Sequence, residues 1–127
     1  MRVKMENLVA KSKEIILNSS LENGAIVASW DEDNCYVWPR DAAYACVAAS
    51  LVGVKTIQEP FFAWLESQPE DFKKQGRLYG NYSINGRIKN RQFQPDQAGT
   101  VLWAIYEFYK NNTKELPKQK ILIKRLA

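Results

Sequence analysis

Residues 36–53 read Tyr36-Val37-Trp38-Pro39-Arg40-Asp41-Ala42-Ala43-Tyr44-Ala45-Cys46-Val47-Ala48-Ala49-Ser50-Leu51-Val52-Gly53, and the second part of this stretch decides the fold class. From Ala42 to Val52 no residue carries a charge. A helix that is apolar on every side must be covered on every side, so a helix over about 41–52 is expected inside a larger helical assembly. Pro39 before it and Gly53 after it are start and stop signals.

On the N-terminal side, residues 5–19 place Leu8, Val9, Ile15, Ile16 and Leu17 on one side of an amphipathic helix, with Lys11, Lys13 and Glu14 elsewhere. A polar stretch over 18–23 and Gly24 end it, and residues 25–29 form a short extended segment that enters the acidic loop Asp31, Glu32, Asp33, Asn34. The glycine and distal glutamate of a calcium loop are absent, so no metal site is expected there. On the C-terminal side, Thr56 and Glu59 stand at capping-box spacing and open a helix with Ile57, Phe61, Phe62, Trp64 and Leu65 on its apolar side. A fully buried helix is thus followed by a half-buried one.

Residues 69–96 hold three glycines and two prolines, with Tyr79, Tyr82 and Ile84 ahead of the hairpin dipeptide Asn85-Gly86. A loop of that length inside a compact domain points to function. A fourth helix is expected over about 96–110, capped by Asp96, with Ala98, Val101, Leu102, Ile105, Phe108 and Tyr109 aligned. Residues 113–127, with Pro117 suited to a first turn and Ile121, Leu122, Ile123 and Leu126 beyond, begin a fifth helix. The expected fold is all-α, a single partial domain over 1–127 with a short β-hairpin or extended loop.

Composition narrows the chemistry. The chain has 127 residues, 46% hydrophobic and 25% charged, the balance of a folded globular chain. No apolar run is long enough to span a bilayer and the first residues lack a signal-peptide core, so a cytoplasmic location is expected and no membrane partner. Cys35 and Cys46 make neither a disulfide framework nor a zinc spacing and are read as structural thiols. There is no histidine, which removes the usual nucleophilic triads, histidine metal sites and the commonest general base. Hydrolytic chemistry would have to use carboxylates. Net charge is +4, with Lys118, Lys120, Lys124 and Arg125 clustered near the end on what reads as a solvated helix face, so no nucleic-acid partner and no cofactor are expected.

The stretch ahead of the buried helix carries the functional signal. Aromatic residues flanking an Arg-Asp pair suit a carbohydrate, whose rings offer apolar C–H faces to aromatics while its hydroxyls need charged hydrogen-bond partners. From the residues alone, Asp41 serves equally well as a plain N-cap with Arg40 as its neighbour. Three blocks in order, 24–29 (Gly-Ala-Ile-Val-Ala-Ser), 36–44, and 92–99 (Gln-Phe-Gln-Pro-Asp-Gln-Ala-Gly), resemble the glucoamylase-like glycoside hydrolases of family 15, which include glucodextranases and archaeal trehalases.

The resemblance implies a toroid of six inner and six outer helices, of which this chain would supply about the first two helical pairs. It assigns Arg40 and Asp41 to hydroxyls of a terminal glucose unit, Trp38 to the nearby pocket wall and Tyr36 to a lesser place beside it. Residue 34, where some members place another aromatic, is Asn34 here. Residues 69–96 would border the pocket, with Tyr79 and Gln94 as further substrate-binding residues. Members of the family are inverting enzymes with a general acid and a separate base, and neither has a counterpart in this chain. No catalytic residue is therefore assigned. The expected partner is an α-glucoside or oligosaccharide, together with the remainder of a split toroid. A non-catalytic sugar-binding module and a helical fragment without a ligand are the alternatives.

Overall fold

A computed structural model describes residues 2–33, 35–68, 78–112 and 117–127. Among them are α1 (Arg2–Asn18), α2 (Pro39–Leu51), α3 (Gln58–Glu66), a hairpin of β1 (Tyr79–Tyr82) and β2 (Ile88–Phe93), α4 (Pro95–Asn112) and α5 (Lys120–Leu126). The chain is mostly helical with one small antiparallel two-stranded sheet. No helix among the described residues is long and apolar enough to cross a membrane. Part of the expected pocket-bordering loop, residues 69–77, lies outside the described residues, as do Asn34 and residues 113–116.

The packing centres on α2 and α4. The backbone N–H of Arg40 in the first turn of α2 donates to Oε1 of Gln97 in the first turn of α4 at 3.0 Å. Further along both helices, the rings of Tyr44 and Trp103 meet edge to face at 5.6 Å. The contacts advance together on both helices, so α2 and α4 run parallel with their N-terminal ends side by side. Parallel neighbours need a return element, and the segment containing α3 and the hairpin supplies it. Phe61, Phe62, Trp64 and Leu65 of α3 are buried; Phe62 meets Phe108 at 6.2 Å and Trp64 meets Tyr82 at 5.9 Å. The core is the space between α2, α3 and α4, closed on one side by the hairpin.

Several sequence expectations change in detail. Thr56 and Glu59 form no capping box; Ile57 occupies the N-cap of α3 and no side chain closes it. The approach to α3 is held instead by the fully buried Gln58, whose amide donates to the carbonyls of Cys46 and Val54 and to Oγ of Ser50. Pro117 precedes the last helix rather than opening it, and Glu66 Oε2 accepts the Leu122 N–H of that helix at 3.0 Å, a carboxylate at a helix N-terminus.

Among the described residues the uncharged helix is not covered on every side: Ala42, Ala43, Cys46 and Ala49 are buried, Ala45 and Val47 are half-buried, and Tyr44 is 56% and Leu51 82% exposed. On α1, Ile16 packs on the core while Met5, Leu8, Val9, Ile15 and Leu17 stay exposed. Its apolar side is thus only partly covered by the described residues, because α1 reaches α2 near its own C-terminal end. Both cysteines are free; burial pushes the Cys46 thiol well above its ordinary range, which suits an inert core residue, and Cys35 is half-buried.

Asn85-Gly86 falls in the hairpin turn as expected, within a three-residue loop closed between Ser83 and Arg87 in which Gly86 alone has positive φ, +85°. Its strand β1 is tied to the chain ahead of α2 by reciprocal backbone bonds between Val37 and Tyr82. Burial pushes the Tyr82 hydroxyl up to about 12. A folded-state value above the unfolded value of about 10 means that the unfolded chain ionises first as pH rises. The stability contributed by neutral Tyr82 is intact below about pH 10 and falls between about pH 10 and 12. Urea unfolding at pH 9 and pH 11.5 should show this loss, and Tyr82→Phe should reduce the difference; an equal loss in that variant would place the effect elsewhere.

Candidate sugar-binding site

The sequence positions with chemical promise meet where α2 and α4 begin. Trp38 is the N-cap of α2, in extended backbone, and its side chain makes no capping bond. Pro39 follows with no N–H to satisfy, and Arg40 and Asp41 occupy the next positions of the first turn. Asp41 is therefore inside the helix rather than its N-cap, and its charge acts only through the positive end of the helix.

Arg40 reaches across to α4. Its Nη1 donates to Gln94 Oε1 at 3.1 Å and to Asp96 Oδ2 at 2.9 Å. The pair with Asp96 is well exposed, 34% and 61% for the two side chains, so it orients the guanidinium more than it stabilises the fold. The other guanidinium nitrogens make no hydrogen bond to a described residue. The helix cap expected of Asp96 is not seen: the helix begins at Pro95 and the carboxylate binds Arg40.

Beneath this surface lies Gln97, which is fully buried. Its Oε1 accepts the Arg40 N–H, and its Nε2 donates to the Tyr79 carbonyl at 2.8 Å and the Gly80 carbonyl at 3.5 Å. One amide thus joins α2, β1 and α4 and sets the height at which Arg40 emerges. Sequence reading missed Gln97, although its position four residues before Val101 puts a polar side chain on the buried stripe of α4, and that was the available signal.

Arg40 and Asp41 do not converge. Consecutive helix positions point roughly 100° apart, and the exposed Asp41 lines a cleft of about 230 Å³ with Ile15, Ile16, Ser19, Ile26, Val27, Ala28, Ala42 and Ala45. With the described residues its carboxylate makes no hydrogen bond or ion pair. Tyr36 and Trp38 meet edge to face at 5.9 Å, both half-buried. Tyr79 is half-buried under Arg91, whose guanidinium lies 5.7 Å from its ring centre. Of the six residues expected to bind sugar, the structure brings Arg40 and Gln94 into direct contact, links Tyr79 to them through Gln97, pairs Tyr36 with Trp38 and places Asp41 in the cleft against Ile15 and Ile16. Among the described residues no group of His, Cys, Asp or Glu is arranged to hold a metal.

A mostly helical chain presenting arginine, amides and aromatics at adjoining helix N-termini offers donors and acceptors for a polyhydroxy ligand. Comparison with known proteins adds a relation of the same kind. A protein of Methanocaldococcus jannaschii named an uncharacterized glycosyl hydrolase is 36% identical over 91 residues, 70% of this chain and 14% of that protein. The chain is thus similar, over a small part of that protein's length, to a glycosyl hydrolase. No protein-family model and no solved structure matches the chain.

Proposed function

We propose that the chain forms one wall of the sugar-binding pocket of an inverting α-glucosidic hydrolase of the glucoamylase-like kind, without itself holding the general acid and base. The observation that carries this reading is Arg40, held from below by Gln97 and from the side by Gln94 and Asp96 with guanidinium donors left over, in a chain related to a glycosyl hydrolase. Arginine in such a setting binds adjacent hydroxyls through paired N–H donors, and Trp38 and Tyr36 offer ring surface to the sugar's C–H face. The parallel pair α2 and α4, with α3 returning between them, supports a layered toroid in which α2 and α4 are inner helices and α1 and α3 outer ones. The exposed Tyr44, Trp103 and Tyr106 are then the face on which further helices of the toroid pack.

Inversion requires two carboxyl groups, roughly 6.5–9.5 Å apart, facing one bond from opposite sides. Asp96 is engaged by Arg40, whereas Asp41 lines the cleft against Ile15, Ile16 and Ser19, which Asp96 does not line. That arrangement also favours the second reading, a binding module without chemistry. The chain by itself is expected to release no glucose from maltose or trehalose above the level of a mock purification. Release that disappears in Asp96→Asn would make Asp96 a catalytic acid and overturn the assignment.

A further inference from the structure

The hairpin beside the site is cationic in a way that the neutral-sugar reading does not use. Residues 78–94 contain Arg87, Lys89 and Arg91 and no aspartate or glutamate. The three cations follow one another along the second arm of the hairpin, each exposed where Ile88 and Asn90 between them are half-buried, in a strand whose register shifts on both sides of Asn90. All three are exposed, and none makes an ion pair with a described residue. Arg87 is fixed at the turn by backbone bonds with Ser83, and Arg91 lies over Tyr79 at 5.7 Å. Tyr79 is bonded through its carbonyl to Gln97, and Gln97 to Arg40. The row of positive charge therefore starts at the edge of the Arg40 cluster and leads away from it along the hairpin.

We infer that this face extends the sugar site and binds an acidic saccharide, a chain carrying carboxylate, sulfate or phosphate groups on successive units, with Arg87, Lys89 and Arg91 taking the anionic groups and the Arg40 cluster the hydroxyls of one end. The inference rests on the proposed sugar-binding function. Successive cations with no carboxylate among them match a ligand that carries an anionic group on successive units. A nucleic acid would need ring platforms for its bases, and the hairpin's Tyr79 is already covered by Arg91. Cations on an edge strand also guard against strand pairing between molecules, a role that requires no ligand, and the two roles separate in a binding experiment.

The test is an NMR titration of the full chain with hexagalacturonate, with maltohexaose as the neutral probe and a six-nucleotide single-stranded DNA as the control. The expected result is at least tenfold tighter binding of hexagalacturonate than of maltohexaose at 50 mM salt, with shifts at Arg87, Lys89, Arg91 and Arg40 and weakening as salt rises. The double substitution Arg87→Gln and Lys89→Gln, on an exposed strand where circular dichroism should be unchanged, should weaken hexagalacturonate binding about tenfold and leave maltohexaose binding as it was. Equal affinity for the two oligosaccharides, an unaffected double variant, or DNA bound as tightly as hexagalacturonate overturns the inference. If maltohexaose still shifts Arg40 and Trp38 in that event, the proposed sugar site stands without its acidic extension. If neither oligosaccharide shifts those two residues, both fail.

Discussion

Gly24→Ala is expected to lower the stability of the chain by about 3–5 kcal/mol, measured by urea unfolding monitored through tryptophan fluorescence. Gly24 sits at φ +99°, a conformation open to glycine and strained for any residue with a Cβ. It is also in close contact with α3: a Cβ built there would run into the carbonyl of Pro60 and lie 3.0 Å from the Cβ of Trp64. Backbone cannot swing aside as the end of a flexible side chain can, so relief requires α3 to move off the core in which Phe61 and Phe62 are fully buried. Strain from the left-handed backbone and overpacking each cost about 1–3 kcal/mol. Gly53 is the internal control, since it too has positive φ but nothing lies within 4 Å of a Cβ added there. Its alanine variant should lose only the conformational part, about 1–2 kcal/mol. Equal losses at the two positions would show that contact with Pro60 does not matter.

Gln97→Leu should cost about 2–5 kcal/mol and should also disturb the sugar site. The substitution keeps roughly the volume of the side chain but removes an acceptor from the Arg40 N–H and a donor from the Tyr79 carbonyl. A buried backbone group left without a partner costs about 1–3 kcal/mol. Gln97→Glu probes the donor side: ionised, its carboxylate accepts from Arg40 but has no proton to give to the Tyr79 and Gly80 carbonyls, so its loss should be at least that of Gln97→Leu and should shrink as falling pH protonates it. If Gln97→Leu unfolds at the wild-type urea concentration, the amide is not the joint between α2, β1 and α4.

How far the sequence foretold these features varies from place to place. The uncharged run from Ala42 to Val52 announced a helix but not its surroundings, since Tyr44 and Leu51 stay exposed and composition does not say whether a neighbour covers each side, and Asn85-Gly86 announced the hairpin because few dipeptides suit such a turn. Elsewhere, local rules lost to tertiary contacts. Thr56 and Glu59 had capping-box spacing, yet Gln58 satisfies carbonyls across the α2–α3 turn and the chain follows that buried amide. Asp96 looked like a cap because its partner, Arg40, is distant in sequence. The same blindness hid Gln97, whose two partners come from separate elements. Arg40 and Asp41 read as one pair because they are neighbours in the chain, and helical geometry sends them roughly 100° apart around α2. The uncovered apolar side of α1 could not be foreseen either, since periodicity says which side a helix would bury but not whether a neighbour reaches it.

The central claim is that the start of α2, with Arg40 held against α4, is a sugar-binding surface. The most direct measurement is a titration of the isotope-labelled chain with maltose up to a few hundred millimolar, following the Arg40 Nε–Hε and Trp38 indole resonances. A surface that is one wall of a pocket should bind in the millimolar range or weaker, about −4 kcal/mol at best, with both resonances shifting along one saturation curve and the shifts lost in Arg40→Ala. Resonances that stay in place at the highest maltose concentration, or that shift equally in Arg40→Ala, would contradict the account.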